Sequence, residues 1–421
     1  MKQLKLILGF LLIAPALFAQ VLSPQVVSNH PGIRYENLKQ MDALLQPYLQ
    51  QKWMTGLVCI VVKDNQVVHY KGYGYQDWES KKPMPADAIF RIMSQTKAIT
   101  SLAIMQLLEQ GKFTLDQKIS DFIPSFKNPK VLVEFNAKDS SYTTTAAKRE
   151  VTFRDLLTHT SGLDYAGIGS DKMKAIYAKA GIPSGLGNFN FTLLEKVQAL
   201  GALPLVHQPG EKFTYGLNTD VLGALVEIVS GVSLEAYFNR YIFEPMGMKD
   251  TYFNLPAAKA SRMPTVYTEN EQKQVIEWGP TFRNINPNYP LVPKGYFSGG
   301  AGLVSTAYDY AIFLQMLLNK GKYNGKQILG RKTVELMLSP QLAPGMLGND
   351  NFGLGFSLVT EKGADFRMRS KDSFSWGGYY GTTYWADPKE KLVVLIMTQQ
   401  TPNSHSDYAA KMENIIYGSL K

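Results

Sequence analysis

The stretch "FRIMSQTKAIT" (90–100) sets Ser94 and Lys97 three residues apart at the front of a long apolar run. A serine hydroxyl is a poor nucleophile until a neighbouring base takes its proton. Three residues are about one helical turn, so the two side chains share a face. A helix start also offers unpaired backbone N–H groups and the positive end of the dipole, both suited to a developing oxyanion. Acyl transfer through an acyl-serine is the chemistry this pair would do. Lys97 must then be neutral to act as a base, against an ordinary pKa of about 10.4. The apolar helix behind it is expected to favour the neutral form by desolvation. The same serine also fits a plain helix start. With 25 serines and 34 lysines, about two Ser-x-x-Lys pairs are expected by chance, and one is present. The pair alone decides nothing.

Other reactive residues offer less. His30, His69, His159, His207 and His405 are far apart and form no helical pair or His/Cys cluster, so neither a metal nor a cofactor is expected. His159, in "LLTHTSGL", invites a Ser-His-Asp reading, but no Gly-x-Ser-x-Gly elbow occurs in the chain. The single cysteine, Cys59, rules out an internal disulfide and sits in the apolar run "GLVCIVV", where a buried, inert thiol is expected. The net charge of +9 is scattered, with no basic stripe for nucleic acid.

These residues need a scaffold. "YENLKQMDALLQPYL" (35–49) places Leu38, Met41 and Leu45 at helical spacing. In "GLVCIVVKDNQVVHYKGYGY", two apolar runs flank Lys63-Asp64-Asn65-Gln66 and predict a β-hairpin. "SFSWGGYYGTTYWADPKEKLVVLIMTQ" predicts two more strands, turning at Asp387-Pro388-Lys389. Helices are expected over 98–111, 219–231 and 306–321, each stopped by glycine, and over about 405–419. Strands therefore gather at both chain ends and helices fill the middle. The expected fold is α/β of the α+β kind: one antiparallel sheet built from about 20–90 and 350–421, with a mostly helical lobe of about 91–349 inserted. A single domain over 20–421 follows, with the catalytic cleft at the junction. Oligomeric state leaves no signal.

The first residues, "MKQLKLILGFLLIAPALFAQ", read as a secretory signal peptide over 1–19. Lys2 and Lys5 precede the apolar stretch Leu6 to Ala14, and small residues follow. Cleavage after Ala19 is expected, although Ala16 fits the small-x-small rule better. The apolar stretch is shorter than the roughly 20 residues of a bilayer span. Removal of this segment takes the net charge from +9 to +7 and leaves no expected membrane span. Periplasmic or secreted localisation is the corresponding expectation.

Beyond the pair, "FRIMSQTKAITSLAIMQLLEQGKFTLDQKISDFIPSF", "VTFRDLLTHTSGL", "QPGEKFTYGLNTDVLGALVEIVSG", "SGGAGLVSTAYDYAIFLQMLLNKG" and "WGGYYGTTYWADP" follow in order. From about residue 36 to the C-terminus this series resembles the serine β-lactamase and penicillin-recognising superfamily, especially its class C-like branch. The resemblance implies a β-lactamase-like fold with Ser94 as nucleophile. It implies that Tyr215, in "FTYGLN", forms a joint acid-base unit with Lys97, whose ammonium would stabilise the phenolate. It also places an oxyanion hole at the backbone N–H groups of Ser94 and Tyr379, and makes the His159 segment a structural turn.

Two departures matter. The family's Tyr-x-Asn is here Tyr215-Gly216-Leu217, with Asn218 one residue late and expected to contact substrate if it reaches the site. Where a lysine or histidine followed by Thr or Ser and Gly is usual, this chain has Trp376-Gly377-Gly378. Tryptophan cannot engage a substrate carboxylate, but it offers a flat apolar wall and one N–H donor. The two glycines would let substrate approach the strand. Arg367, Arg369 and Lys371 are the nearest cations in sequence. Trp-Gly-Gly is similar to the form in family VIII carboxylesterase-type hydrolases and related acyltransferases. The resemblance therefore implies a cofactor-free serine hydrolase acting on a small-molecule ester or amide. A β-lactamase or D-alanyl-D-alanine carboxypeptidase, an acyltransferase and an inactive binding protein are the alternatives.

Overall fold

In the computed structural model, residues 21–421 are described, apart from 188, 281, 283 and 284. The signal-peptide segment 1–19 lies outside the described residues.

The first strand, β1 (Gly56–Lys63), turns back into β2 (Gln66–Asp77) through Asp64 and Asn65 alone. Both turn residues have positive φ, 47° and 64°, as a two-residue hairpin demands. Lys63 and Gln66, expected within the loop, are instead its closing pair. Six further strands complete the sheet: β3 (Lys82–Pro83), β4 (Asn351–Phe352), β5 (Ser357–Leu358), β6 (Phe374–Gly377), β7 (Thr383–Asp387) and β8 (Leu392–Thr398). The order is β4-β5-β6-β7-β8-β1-β2-β3, antiparallel throughout. At its centre the two chain ends meet, with Cys59 opposite Ile396 and Val61 opposite Val394.

Alternation along β1 assigns its two faces. Leu57, Cys59 and Val61 pack with Leu392, Val394 and Ile396 under α1 (Gln40–Gln50) and the C-terminal helix Tyr408–Gly418. Val58, Ile60 and Val62 join Val393, Leu395 and Met397 in the larger core on the other face. That core includes the apolar residues of α2 (Thr96–Glu109), α3 (Asn218–Ser230) and α4 (Ala307–Leu318). A sheet covered on both faces has no solvent-facing residues to alternate with, which is why "GLVCIVV" reads as an unbroken apolar run. Cys59 is fully buried, and burial pushes its thiol pKa well up, so it is an unreactive core residue.

Helix ends follow local chemistry. Gly231 closes α3 at φ +74°, a left-handed conformation that glycine adopts without strain. Thr306 caps α4 by accepting the N–H of Asp309 at 3.0 Å. The inserted lobe is not purely helical. Short ladders pair Lys130–Phe135 with Tyr142–Ala146 and Tyr267–Glu269 with Val275–Glu277, in segments the sequence leaves as loops. Among the described residues no single helix is long and apolar enough to cross a membrane.

Candidate active site

Ser94 lies in a 3-10 turn, Met93–Gln95, that runs directly into α2. Met93, just before it, sits at φ +50° with its side chain buried. A non-glycine residue held there costs on the order of 1–3 kcal/mol, and such strain gathers where a side chain must be aimed. The Ser94 side chain caps nothing. Its Oγ instead accepts from the Tyr215 hydroxyl at 2.6 Å and from Lys97 Nζ at 3.3 Å. The helix-cap reading of Ser94 therefore falls.

Lys97 is buried behind the serine. Its Nζ donates to the Gly300 carbonyl at 2.8 Å and to the Tyr165 hydroxyl at 3.2 Å, and lies 4.7 Å from the Tyr215 ring centre. Burial works against its charge, as the apolar helix suggests. The electrostatic pull of Tyr165, Tyr215 and Asp220, with the hydrogen bond to Tyr215, outweighs burial and holds its pKa above the ordinary lysine value. Desolvation alone would favour neutral Lys97, as the apolar run suggests, but the net direction keeps the side chain an ammonium, the form that the family resemblance implies. Asp220 itself is buried, accepts from Ser298 Oγ at 2.6 Å, and has its carboxyl pKa raised by burial. Sequence reasoning missed Tyr165 and Asp220. They stand 68 and 123 residues from Lys97, in a chain with 23 tyrosines, and only the fold brings them to it.

The loop bearing Tyr215 is zipped to the one bearing His159. Thr214 donates its N–H to the His159 carbonyl at 2.7 Å, and Leu217 donates to Asp164 at 3.2 Å. A Cβ at Gly216 would lie 2.2 Å from the Leu163 carbonyl, so the close approach requires glycine there. Asn218 completes the seam. It is fully buried, its amide nitrogen lies 3.0 Å from His159 Nδ1, and its oxygen accepts from Ser161 Oγ. Its expected contact with substrate is corrected on that ground: it braces the loop behind the cleft. His159 has its pKa pushed down to about 3, chiefly by burial and then by the Lys97 charge, so it is neutral. Its ring packs 5.0 Å from that of Tyr215, as a support for the loop.

Across the cleft runs β6. Trp376 donates its indole N–H to the Tyr215 oxygen at 3.4 Å, with the two rings 5.4 Å apart. The residue that replaces the usual cation is therefore directed at the tyrosine. Gly377 borders the cleft beside Ser94. Gly378 does not; a Cβ there would lie 2.5 Å from the Ile92 carbonyl and 2.2 Å from Thr382 Oγ1. Its expected role toward substrate is corrected, because the missing side chain lets the strand reach the turn that carries Ser94. Tyr379 follows and borders the cleft on both sides of Ser94. Arg367, Arg369 and Lys371 are paired with Asp350, Glu413 and Glu361. Among the described residues, none that lines the cleft around Ser94 is charged.

The chain as a whole has known relatives. The beta-lactamase family model matches residues 41–416. The chain belongs to the beta-lactamase family. Protein Rv1367c of Mycobacterium tuberculosis is 33% identical over 89% of this chain and 93% of its own length. Esterase EstB of Burkholderia gladioli is 29% identical over 85% and 89%. Among solved structures, EstCE1, described as a hydrolase with promiscuous acyltransferase activity, superposes with a TM-score of 0.79. It is 26% identical and the match covers 91% of this chain and 99% of that one. This beta-lactamase family member is a serine hydrolase.

Two predictions follow from the geometry. Gly378→Ala forces the strand off the Ser94 turn. It is expected to cut kcat/KM by about 10²-fold, the cost of a misplacement of about 1 Å. Steady-state kinetics on purified variant and wild type check this, and unchanged kinetics would refute the packing role. The second concerns acid stability. Below pH 6.5 the unfolded chain protonates His159, whereas the folded chain resists until about pH 3. The stabilisation from neutral His159 is thus complete above pH 6.5 and fades as pH falls towards 3. Replacing it as His159→Gln should flatten part of that slope in urea titrations between pH 6.5 and 4. His69, held down to about 4 by burial, keeps a like contribution, and Asp309, raised to about 6 by burial, works against both.

Proposed function

We propose that this serine hydrolase is exported and cleaves carboxylic esters through an acyl-enzyme on Ser94. The observation that carries the reading is the contact of Ser94 Oγ with Tyr215 at 2.6 Å and Lys97 at 3.3 Å, facing an uncharged cleft. In the reactive state Tyr215 is the phenolate, paired with the Lys97 ammonium and accepting the Trp376 N–H. The Ser94 proton passes to Tyr215 as Oγ bonds to the ester carbonyl carbon. The backbone N–H groups of Ser94 and Tyr379 take the oxyanion. The ester C–O bond then breaks, and Tyr215 returns the proton to the departing alcohol oxygen. Water repeats the cycle: it gives a proton to Tyr215, attacks the acyl carbon, and releases the acid as Ser94 recovers its proton.

The lack of charge among the described residues that line the cleft favours esters over substrates that carry a carboxylate beside the scissile bond. EstB, named an esterase, supports the same class. A second reading, transfer of the acyl group to an alcohol in place of water, is supported by the activity ascribed to EstCE1. It would show as a new ester when excess alcohol is added.

Ser94→Ala should lower kcat/KM on p-nitrophenyl butyrate by about 10⁴-fold or more with the melting temperature retained, and Tyr215→Phe by about 10³-fold. Wild type should turn over a chromogenic cephalosporin far more slowly than the ester. Undiminished turnover in Ser94→Ala, or faster cephalosporin hydrolysis, would sink the assignment. Export predicts that the mature protein recovered outside the cytoplasm begins after Ala16 or Ala19, which intact-mass measurement decides; an uncleaved chain would refute it.

A further inference from the structure

The cleft has two halves that meet at Ser94. One is the more enclosed, a hollow of about 140 Å³ walled by Met93, Leu186, Ala301 and Tyr165. The other is an open groove of about 480 Å³ along β6, walled by Tyr215, Trp376, Ser375 and Thr383. Three residues border both halves: Ser94, Tyr379 and Ile168. The first two are explained by the chemistry, since the reacting carbonyl sits between acyl and alcohol. Ile168 is not. It is 58% exposed, so the core gives no reason for an apolar residue there.

The loop holds Ile168 in a fixed place. Asp164, buried at its base, accepts the N–H of Tyr165 at 2.8 Å, the N–H of Ser170 at 3.0 Å and the Ser170 hydroxyl at 2.7 Å. Tyr165 is tied to Lys97 at 3.2 Å. A Cβ at Gly169 would fall 2.3 Å from Asp164 Oδ1, so the loop closes tightly over that carboxylate. So constrained a loop fixes Ile168 at the rim that the two halves of the cleft share.

We propose that Ile168 is the specificity-determining divider of the cleft, separating an acyl hollow from an alcohol groove and gauging both halves of the ester. The inference rests on the ester-cleaving reading above. The direction of the substrate follows from Tyr215. The group that protonates the departing alcohol borders only the open groove, so the alcohol leaves on that side. The acyl chain then enters the enclosed hollow. A cavity of about 150 Å³ takes a molecule the size of benzene. The hollow thus admits an acyl group of about four to six carbons and rejects longer chains.

Two substrate series test the assignment: p-nitrophenyl acylates from acetate to octanoate, and butyrates of methanol, butanol and benzyl alcohol. Wild type should lose at least about 10-fold in kcat/KM between butyrate and octanoate, the scale set by a methylene that does not fit. Ile168→Ala should narrow that loss to about threefold and also reorder the alcohol series. Leu186→Ala should change the acyl series alone. Ile168→Val should shift both series in the same direction by less, and it keeps the test open if the alanine variant fails to fold. An Ile168 variant that moves neither series, or only one, overturns the divider while leaving ester cleavage standing. A wild type inactive on every ester overturns the ester reading and the divider with it.

Discussion

A lysine ammonium sealed behind a serine is the constraint around which this site is built. Removing an ion of that size from water costs several kcal/mol even after relaxation. The fold must repay that with aimed dipoles and charges. The Gly300 carbonyl, the Tyr165 and Tyr215 hydroxyls, Ser94 and the buried Asp220 do so. They come from the loop after Ser161, the approach to α3, α3 itself and the segment before α4. Those elements have to meet at one point for Lys97 to be tolerated there. The same convergence delivers a tyrosine to the serine. Charge compensation and the assembly of the reactive groups are therefore one structural requirement.

The sheet supplies the other wall, and its topology explains how. Because β1 pairs with β8, the chain must leave the sheet near one end and return to it near the other. The inserted helices α2, α3 and α4 share a core with the sheet face opposite α1. From that arrangement β6 arrives beside the serine. Gly378, which has no side chain to hold the Ile92 carbonyl away, sets the final spacing. Strain at Met93 is the local counterpart: the turn accepts an unfavourable φ so that Oγ faces the tyrosine instead of the helix.

What could be read from sequence divides along the range of the interactions involved. Ser94 and Lys97 lie within one turn, and their shared face follows from spacing. The antiparallel sheet from both chain ends was legible because β1 and β8 are apolar runs short enough and β-branched enough to read as buried strands. Tyr215 was reached through the motif resemblance and not through spacing. Tyr165 and Asp220 were missed because neither carries a local signature. For the same reason only half of the electrostatics at Lys97 shows in the local sequence. Desolvation is a property of the apolar helix and is visible in sequence, whereas the groups that outweigh it arrive from far along the chain. Asn218 comes one residue later than the family's asparagine, at the first residue of α3, and its amide is spent on His159 and Ser161 behind the cleft.

Trp376 shows how one substitution redirects a shared scaffold. A cation at that place would offer a counter-charge to a substrate carboxylate. Without one, a carboxylate lying along β6 would give up its hydration for an indole edge and neutral hydroxyls among the described residues, and a charge so treated binds poorly. A neutral ester meets no such penalty and gains the apolar area of the ring. The indole N–H is not idle either, because it lies 3.4 Å from the oxygen of Tyr215. A donor there engages the tyrosine oxygen without adding a second positive charge beside Lys97, which a lysine at 376 would do. The exchange of cation for tryptophan thus touches both sides of the site: it leaves the β6 wall without a charge at 376 and sets a donor against the tyrosine that contacts Ser94.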